Sequence, residues 1–490
     1  MNSKNAQLRR LLTSCFPKMR GMPVGIALLS GLIFAPGCSF APHPADLTPD
    51  YAIPDQFINA PEQQAVEIIS SESWWESYDD ANLNRIIDSL LVRNLDLQIA
   101  LSRVKQVQAN LKHARSQLWP ALNIDGTASD SKSIFMMGDM IIENENTDYS
   151  LAAGLSWELD IWGRVRNLKD AAVADLRSAQ YDLTGFYQAL IAQAVALYFD
   201  VSVLMKRVEL IEFNSQLYTL EYTLLQDRYT LGVGRKADMI QAEQRLAGGE
   251  AQLARERQLL EFSRHQLALL LGIYPGDVEN LEISKLPDLA EIPAVPVGIP
   301  SSLLEKRSDI RSAEYKVEAA RKKVGAARAD LLPRITLFGN SGYRSKTLED
   351  LFDDTARTHS MGGSASGIID WGGKRAAVRQ NQESYNQAIL SYQQTVLNAF
   401  REVEDALVLV RESGTQAEQS RRQVRLADTY LTIQEGRYEQ GLSPYNQWIN
   451  AARGWVNAEY SAIQSELSAL QSRINLHLAL GGDWLDSRSG

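Results

Sequence analysis

Few residues in this 490-residue chain have the type and spacing that chemistry requires. Gly367 to Lys374 (GIIDWGGK) carries the glycines of a phosphate-cradling loop, but Gly373 stands where such loops need Lys, and Lys374 is followed by Arg375 instead of Ser or Thr. The segment reads as a strand-to-helix turn. Glu158 and Asp160 share one face of an alternating segment, as a general acid and base would, yet water-facing carboxylates at a strand end account for them more simply. Met136, Met137 and Met140 offer soft sulfur ligands, but a loose methionine cluster in an outer loop is read as incidental. His43, His113, His265, His359 and His477 are scattered, and two cysteines build neither a disulfide scaffold nor a Cys-rich zinc site. No catalytic residue, cofactor or metal site is expected.

Charge and hydropathy narrow the class. Fifty Lys plus Arg against 60 Asp plus Glu leave a net charge of -10, which argues against nucleic acid as a partner. A mean hydropathy of -0.23 argues against a helical membrane protein, and no stretch after residue 40 is expected to approach the roughly 20 apolar residues that a membrane helix needs. Alternating strands of a β-barrel barely raise hydropathy, so that class stays open.

The N-terminus reads as an address. Lys4, Arg9, Arg10, Lys18 and Arg20 precede the apolar run Met22 to Phe34, the order of a secretory signal. The run ends in Ala35-Pro36-Gly37-Cys38, which resembles the lipobox of bacterial lipoproteins, although Ala35 and Pro36 stand where Leu and a small residue are usual. Cleavage before Cys38 removes Cys15 and leaves Cys38 as a lone exported thiol, best explained as a site of lipidation. The proline-rich residues that follow read as an extended strap.

The elements that must position any site are written twice. Arg93 to Pro120 aligns without gaps on Lys306 to Pro333, pairing Asp96 with Asp309, Val104 with Val317 and Pro120 with Pro333, an offset of 333 - 120 = 213. Further on, Trp162-Gly163 pairs with Trp371-Gly372, Arg228-Tyr229 and Gly232 with Arg437-Tyr438 and Gly441, and Leu271-Gly272 with Leu480-Gly481, all at offset 209.

Each copy changes hydrophobic period in the same order. Leu83 to Leu118 has helical spacing, ended by Trp119-Pro120. Leu122 to Ser129 and Tyr149 to Asp160 alternate as two strands, with Asp130 to Asp148 between them expected as an exposed loop. Copy two offers Ile335 to Tyr343 and a weaker strand from Ser360 to Asp370. A stripe from Val165 to Ile211 repeats about every 3.5 residues, the period of coiled-coil packing. At about 1.5 Å per residue, Gly163 to Thr230 would make a rod of roughly 100 Å. Leu231-Gly232-Val233-Gly234 then turns the chain back. The expected domains are 1-37 signal peptide, 38-81 acylated strap, 82-272 repeat one, 273-300 linker, 301-482 repeat two and 483-490 tail.

Four strands per chain cannot close a barrel, so closure would need several copies. With that pattern the chain resembles the TolC-like outer-membrane efflux factors, in their lipoprotein branch. The resemblance rests on Trp74-Trp75 with Tyr78 and Asp80, on Leu159 to Arg164, on Ile299-Pro300 with Leu303 to Ile310, and on Arg437-Tyr438 with Gly441-Leu442. Ser308 departs from a usual Pro, and Ile369 to Gly373 from a Phe-Asp-Gly-Gly type of segment. The resemblance implies an α+β membrane protein: a homotrimer whose twelve strands form one β-barrel in outer-membrane lipid, above a long periplasmic α-helical barrel. A periplasmic adaptor and an inner-membrane exporter of the RND or ABC type would be partners, and the channel would catalyse nothing. A polypeptide secretion channel of the type I kind is the alternative, and a purely helical periplasmic lipoprotein a third reading that predicts no strands.

Tyr149, Trp157 and Tyr343 fall in the lipid-facing register and are candidate interfacial aromatics. In the family, acidic residues early in the helices after the tip turns line a constriction. The matching positions here hold Asp238 and Gln241 in repeat one, and Asn446, Asn450 and Arg453 in repeat two. The aspartate expected at Asn450 is an amide. Mass spectrometry of the mature protein should find a chain that begins at triacylated Cys38; any other first residue, or a free Cys38, removes the lipoprotein reading.

Overall fold

A computed structural model of the protein describes residues 40–47, 54, 56–60, 74–137, 140–287, 289, 292, 295, 297, 300, 303–367 and 370–481. The signal segment, Cys38, part of the strap, Ile299, Ile369 and the tail lie outside them. The chain divides into two compact units, one holding Ser116–Leu168 and Lys322–Arg379, the other His43–Arg115, Lys169–Arg321 and Gln380 onward.

The first unit is built on one sheet. Its strands are β1 (Ala121–Met137), β2 (Met140–Leu159), β3 (Arg334–Ser345) and β4 (Arg357–Ser366), all antiparallel in the order β1-β2-β3-β4. Pro120 and Pro333 precede β1 and β3, where a missing N–H interrupts no ladder. The register runs straight across the sheet: Leu122 faces Leu155, Leu155 faces Gly339 and Gly339 faces Met361. Two expectations need correcting. Asp130 to Asp148 is no loop, because pairing continues until Met137 meets Met140. Polar cross-strand pairs carry it: Thr147 Oγ1 donates to Asp130 Oδ1 at 3.0 Å, and Lys132 Nζ lies 2.7 Å from Glu143 and 3.0 Å from Glu145. The fourth strand also begins and ends earlier than Ser360 to Asp370.

The second unit is helical. Helices α1 (Ala81–Arg93), α2 (Leu95–Ser116), α3 (Arg164–Thr230), α4 (Lys236–Leu271), α5 (Leu303–Lys306), α6 (Ser308–Ala329), α7 (Gly373–Glu439) and α8 (Tyr445–Ala479) supply it, the unit boundary falling within α2, α3, α6 and α7. Asp80 caps α1 by accepting the N–H groups of Asn82 and Leu83. Leu83, Ile87 and Leu90 of α1 pack with Ile191, Tyr198 and Phe199 of α3, Leu267 and Leu271 of α4 and Leu470 of α8 into the main core. Contrary to the expectation for residues after 40, α3 holds one stretch long and apolar enough to cross a membrane. Two thirds of that stretch is buried inside the fold, so its apolarity belongs to the core.

The single helix expected from Leu83 to Leu118 is broken at Asn94, whose backbone leaves the helical region (φ -59, ψ 124). Its Oδ1 accepts the Leu97 N–H at 2.7 Å and its Nδ2 donates to the Leu270 carbonyl at 2.7 Å. The residue 213 further on, Arg307, breaks repeat two between α5 and α6, and its Nη1 donates to the Ala479 carbonyl at 2.9 Å. Leu270 and Ala479 are themselves 479 - 270 = 209 apart. Gly272 (φ 64) and Gly481 (φ 91) let the chain pass this close: a Cβ on Gly272 would sit 2.6 Å from the Arg93 carbonyl oxygen. Both repeats therefore close through one polar residue at the same place.

Two stability measurements follow. Asn94→Ala removes a cap and leaves a buried carbonyl unpaired, and should cost about 2 kcal/mol in unfolding of the solubilised protein. His477, stacked on Trp74 at 5.0 Å, is pushed from an ordinary pKa of 6.5 to about 4 by burial and then by Arg473. Above pH 6.5 the group is indifferent; as pH falls toward 4 the unfolded chain binds the proton first, and stability drops by something on the order of 3 kcal/mol. His477→Phe should keep the stack and lose that part of the acid sensitivity; an unchanged pH profile would refute the assignment.

Candidate functional site

The sheet has two unlike faces. On one lie Leu122 and Ile124 of β1, Leu151, Leu155 and Trp157 of β2, Leu337 and Tyr343 of β3 and Met361 of β4, brought to one side by the register. Leu122 is 70% exposed, Ile124 74% and Met361 92%. On the other, polar but for Phe338, lie Asn123, Asp125 and Thr127, Ser150, Ser156 and Glu158, Thr336 and Asn340, and Ser360 and Ser364. Tyr149, Trp157 and Tyr343 all belong to the apolar face. Trp157 donates its indole N–H to the Leu118 carbonyl at 3.0 Å, and Tyr343 meets Phe352 edge-on at 5.6 Å. Eight residues separate Tyr149 from Trp157, about 26 Å of strand. Among the described residues much of this apolar face is exposed, and such a face is what hydrocarbon, and not water, accommodates. Met136 is exposed near the hairpin tip, and among the described residues no group of His, Cys, Asp or Glu could hold a metal ion.

The helix tips are built alike in both repeats. At the end of α3 the Val233 N–H bonds the Arg228 carbonyl and the Gly232 N–H that of Tyr229; at the end of α7 Leu442 bonds Arg437 and Gly441 bonds Tyr438. Gly232 (φ 75) and Gly441 (φ 69) take the left-handed position that such a turn demands. Just beyond, Asp238 and Gln241 on α4 and Asn446 and Asn450 on α8 are exposed. Arg453 is half-buried and engaged. Its guanidinium bonds Glu221 of α3 and lies 4.4 Å over the Tyr218 ring, which fills the space a Cβ on Gly249 would need.

Glu221 is a residue that sequence reasoning passed over. Its side chain is 9% exposed and holds both Arg245 of α4, at 2.7 Å, and Arg453 of α8. A second buried acid, Glu256 of α4, takes Arg207 of α3 at 2.8 Å and the Tyr460 hydroxyl of α8 at 3.2 Å. Each acid ties together three helices, two from repeat one and one from repeat two. A signal was present: Ala242, Gly249, Glu256, Ser263 and Leu270 are buried at strict seven-residue spacing, so a charge stands on a coiled-coil seam. At the matching positions repeat two has Tyr430 and Ser465 instead, and its α7 and α8 are joined by Ser420–Ser465 and Ser413–Ser472 hydrogen bonds of 3.0 and 2.9 Å and by Arg421 with Glu466 at 2.6 Å. Nearby, burial raises the Glu459 carboxyl above the ordinary range; Lys206 opposes the shift, and Glu466 and Asp428 add to it. Burial and then Glu221 raise the Tyr445 hydroxyl.

Comparison with known proteins agrees with this geometry. The model of the family described as outer membrane efflux protein matches residues 86–273 and 299–482, one stretch in each repeat. The chain is 28% identical to the probable efflux pump outer membrane protein TtgC of Pseudomonas putida, over 92% of this chain and 93% of that protein. It is 30% identical to nodulation protein T of Rhizobium leguminosarum bv. viciae, over 82% of each. Among solved structures, the outer-membrane channel OprN aligns with a TM-score of 0.75 and 28% identity, covering 89% of this chain and 99% of that one. The family is one of channel proteins and not of enzymes. Two strands and a pair of long helices written twice, an apolar sheet face without cover and a family match over both repeats lead to one conclusion: the chain belongs to the outer membrane efflux protein family.

Proposed function

We propose that the protein is the outer-membrane channel of a tripartite efflux system in a Gram-negative bacterium. Three copies close a twelve-stranded barrel in the outer membrane, and their helices form a tunnel that reaches into the periplasm. An adaptor and an inner-membrane exporter dock at the tips and supply drugs or other small molecules together with the energy; the channel conducts passively. The observation that carries this reading is the sheet with an uncovered apolar face, a polar opposite face and two unpaired edge strands. Lipid fits the first, a water-filled lumen the second, and further copies the third. Membership of the efflux family favours this over polypeptide secretion.

In the proposed arrangement Tyr149, Tyr343 and Trp157 sit at the two edges of the hydrocarbon band. Residues 1-37 are a signal removed on export, and Cys38 carries lipid that anchors the strap. The described part of the strap has attachments that suit this role. The Ala45 N–H bonds the Tyr385 hydroxyl at 2.9 Å, and the turn at Phe57 is held by Glu404, which accepts the Ile58 N–H at 2.7 Å. Asp238, Gln241, Asn446 and Asn450 line the narrow end, where a three-fold axis sets each beside two copies of itself. Arg453 stands behind that ring, bound to Glu221.

Native mass spectrometry of the detergent-solubilised protein should give the mass of three mature chains, and a monomer would sink the proposal. In planar bilayers, replacing Gln241 and Asn450 by alanine should raise single-channel conductance, while Asn450→Asp should mainly increase cation selectivity through three added charges in one ring. Glu221→Gln, which leaves two arginines without their acid, should raise the open probability several-fold. Conductance, selectivity and open probability that all stay at the parent values would place the constriction elsewhere.

A further inference from the structure

The turn from strand to long helix is written once in each repeat, and the two versions use matching residues differently. In repeat one Trp162 donates its indole N–H to the Pro333 carbonyl at 2.8 Å. Arg166 is held by Asp160, through the carboxylate at 3.0 Å and the carbonyl at 2.7 Å, and Asp170 pairs with Lys169 at 2.7 Å. The residues 209 further on from Trp162, Arg166 and Asp170 are Trp371, Arg375 and Arg379. Ile369 stands in place of Asp160, so both acids are missing from these positions and the second has become a cation.

The acids that remain near this turn are taken. Asp370 accepts the N–H groups of Gly372 and Lys374. Asp330 binds Arg334 at 2.6 Å and takes the Lys374 ammonium on its carbonyl at 2.6 Å. Glu383, one turn past Arg379, accepts from Asn386 at 3.1 Å. Among the described residues Arg375 and Arg379 make no ion pair, and both are exposed. Trp371 is 98% exposed, and its backbone is left-handed (φ 52) where that of Trp162 is not.

We infer that Trp371, Arg375 and Arg379 form a docking surface for an anionic phospholipid at the helical end of the sheet. The inference rests on the proposed insertion of the sheet in a membrane and adds which lipid meets its rim.

Position supports it first. Strands β1 and β3 begin, and β2 and β4 end, at the same end of the sheet, so Trp371, five residues past Ser366, stands where the apolar face gives way to helix. Gly363 and Ala365 are the last residues of β4 on that face, beside Leu337 and Ile335. An indole at such a boundary has an apolar ring for acyl chains and an N–H for headgroups. Arg375 and Arg379 lie one turn apart on one side of α7, about 6 Å along the helix, and helical side chains lean toward the N-terminus, here toward Trp371 and the rim. A headgroup layer is itself only about 5 to 7 Å deep on each side of a bilayer.

Charge then selects the lipid. A guanidinium binds phosphate through parallel N–H donors, and two of them side by side repel each other until an anion lies between them. A zwitterionic headgroup brings its own cation to that place; an anionic one brings none.

Full-length protein reconstituted in phosphatidylcholine vesicles tests the surface. A minority guest lipid, brominated on its acyl chains near the headgroup, is either phosphatidylglycerol or phosphatidylcholine, and Trp371 emission is read as the difference between the parent chain and Trp371→Phe. Brominated phosphatidylglycerol should quench that emission several-fold more than brominated phosphatidylcholine, and the preference should fade at high salt. Arg375→Gln with Arg379→Gln should abolish the preference while both guests still quench, and Arg375→Lys with Arg379→Lys should retain it. Equal quenching by the two guests in the parent, or a preference that survives the glutamine pair, overturns the inference. Trp371 emission that neither guest reaches also overturns it, and is the result expected of an indole covered by another copy. The native mass of the same preparation keeps the channel reading apart: three chains without a lipid preference leave that reading standing, whereas a monomer that does not enter the vesicles ends both.

Discussion

An unpaired strand edge cannot be left in hydrocarbon. Each backbone N–H or C=O without a partner there costs several kcal/mol, and water is absent to offset it. This chain carries an apolar sheet face suited to lipid, yet among the described residues its sheet ends in two free edges, β1 of 17 residues and β4 of 10. A soluble protein would cover or charge such edges. Here β4 is short and small-sided, and the outer part of β1 is polar, so the edges are fit for pairing and not for concealment. The proposed closure by copies would satisfy those edges; in that arrangement the polar face would line a lumen, and a rotation axis would set the tip residues in rings.

The same internal repeat that makes closure geometrically natural is copied into the packing of the helical unit. Asn94 and Arg307 differ in every chemical respect except the ability to donate to a carbonyl, and each donates to the same place on the returning helix of its repeat. The tip turns match bond for bond. The buried charges do not. Glu221 and Glu256 belong to repeat one, while repeat two has Tyr430 and Ser465 at those positions and joins its helices through serines and the less buried Arg421–Glu466 pair. A buried acid shared by arginines is costly to leave half-paired, whereas a serine pair gives up little when it parts.

Much of this was legible in the sequence because periodicity and turn chemistry are local. The offsets of 213 and 209, the alternation in the strands and the glycines of the tips located the repeats, the sheet and the turns. What escaped was set by partners distant in the chain. Asn94 sits between Leu90 and Leu97 without disturbing the helical spacing of the apolar residues, so only its bond to Leu270 reveals the break. Asp130 to Asp148 has no apolar alternation, and its ladder rests on pairs such as Asp130 with Thr147 that appear only once the strands are aligned. Glu221 and Glu256 look like surface charges until the seam on which they lie is traced. The candidate ring of Asp238, Gln241, Asn446 and Asn450 came from resemblance, and the fold places all four at the tips, exposed, with Arg453 drawn back to Glu221.

The central claim is that the outer edges of the sheet are paired by other copies. Amide hydrogen exchange of the purified, solubilised protein reads this directly, strand by strand. If the claim holds, the amides of β4 from Thr358 to Ser366, and those of β1 that pair with them, exchange as slowly as those of β2 and β3, because each is then in a closed ladder. Outward-pointing amides of β1 and β4 that exchange orders of magnitude faster than those of the inner strands would mean open edges and contradict the account.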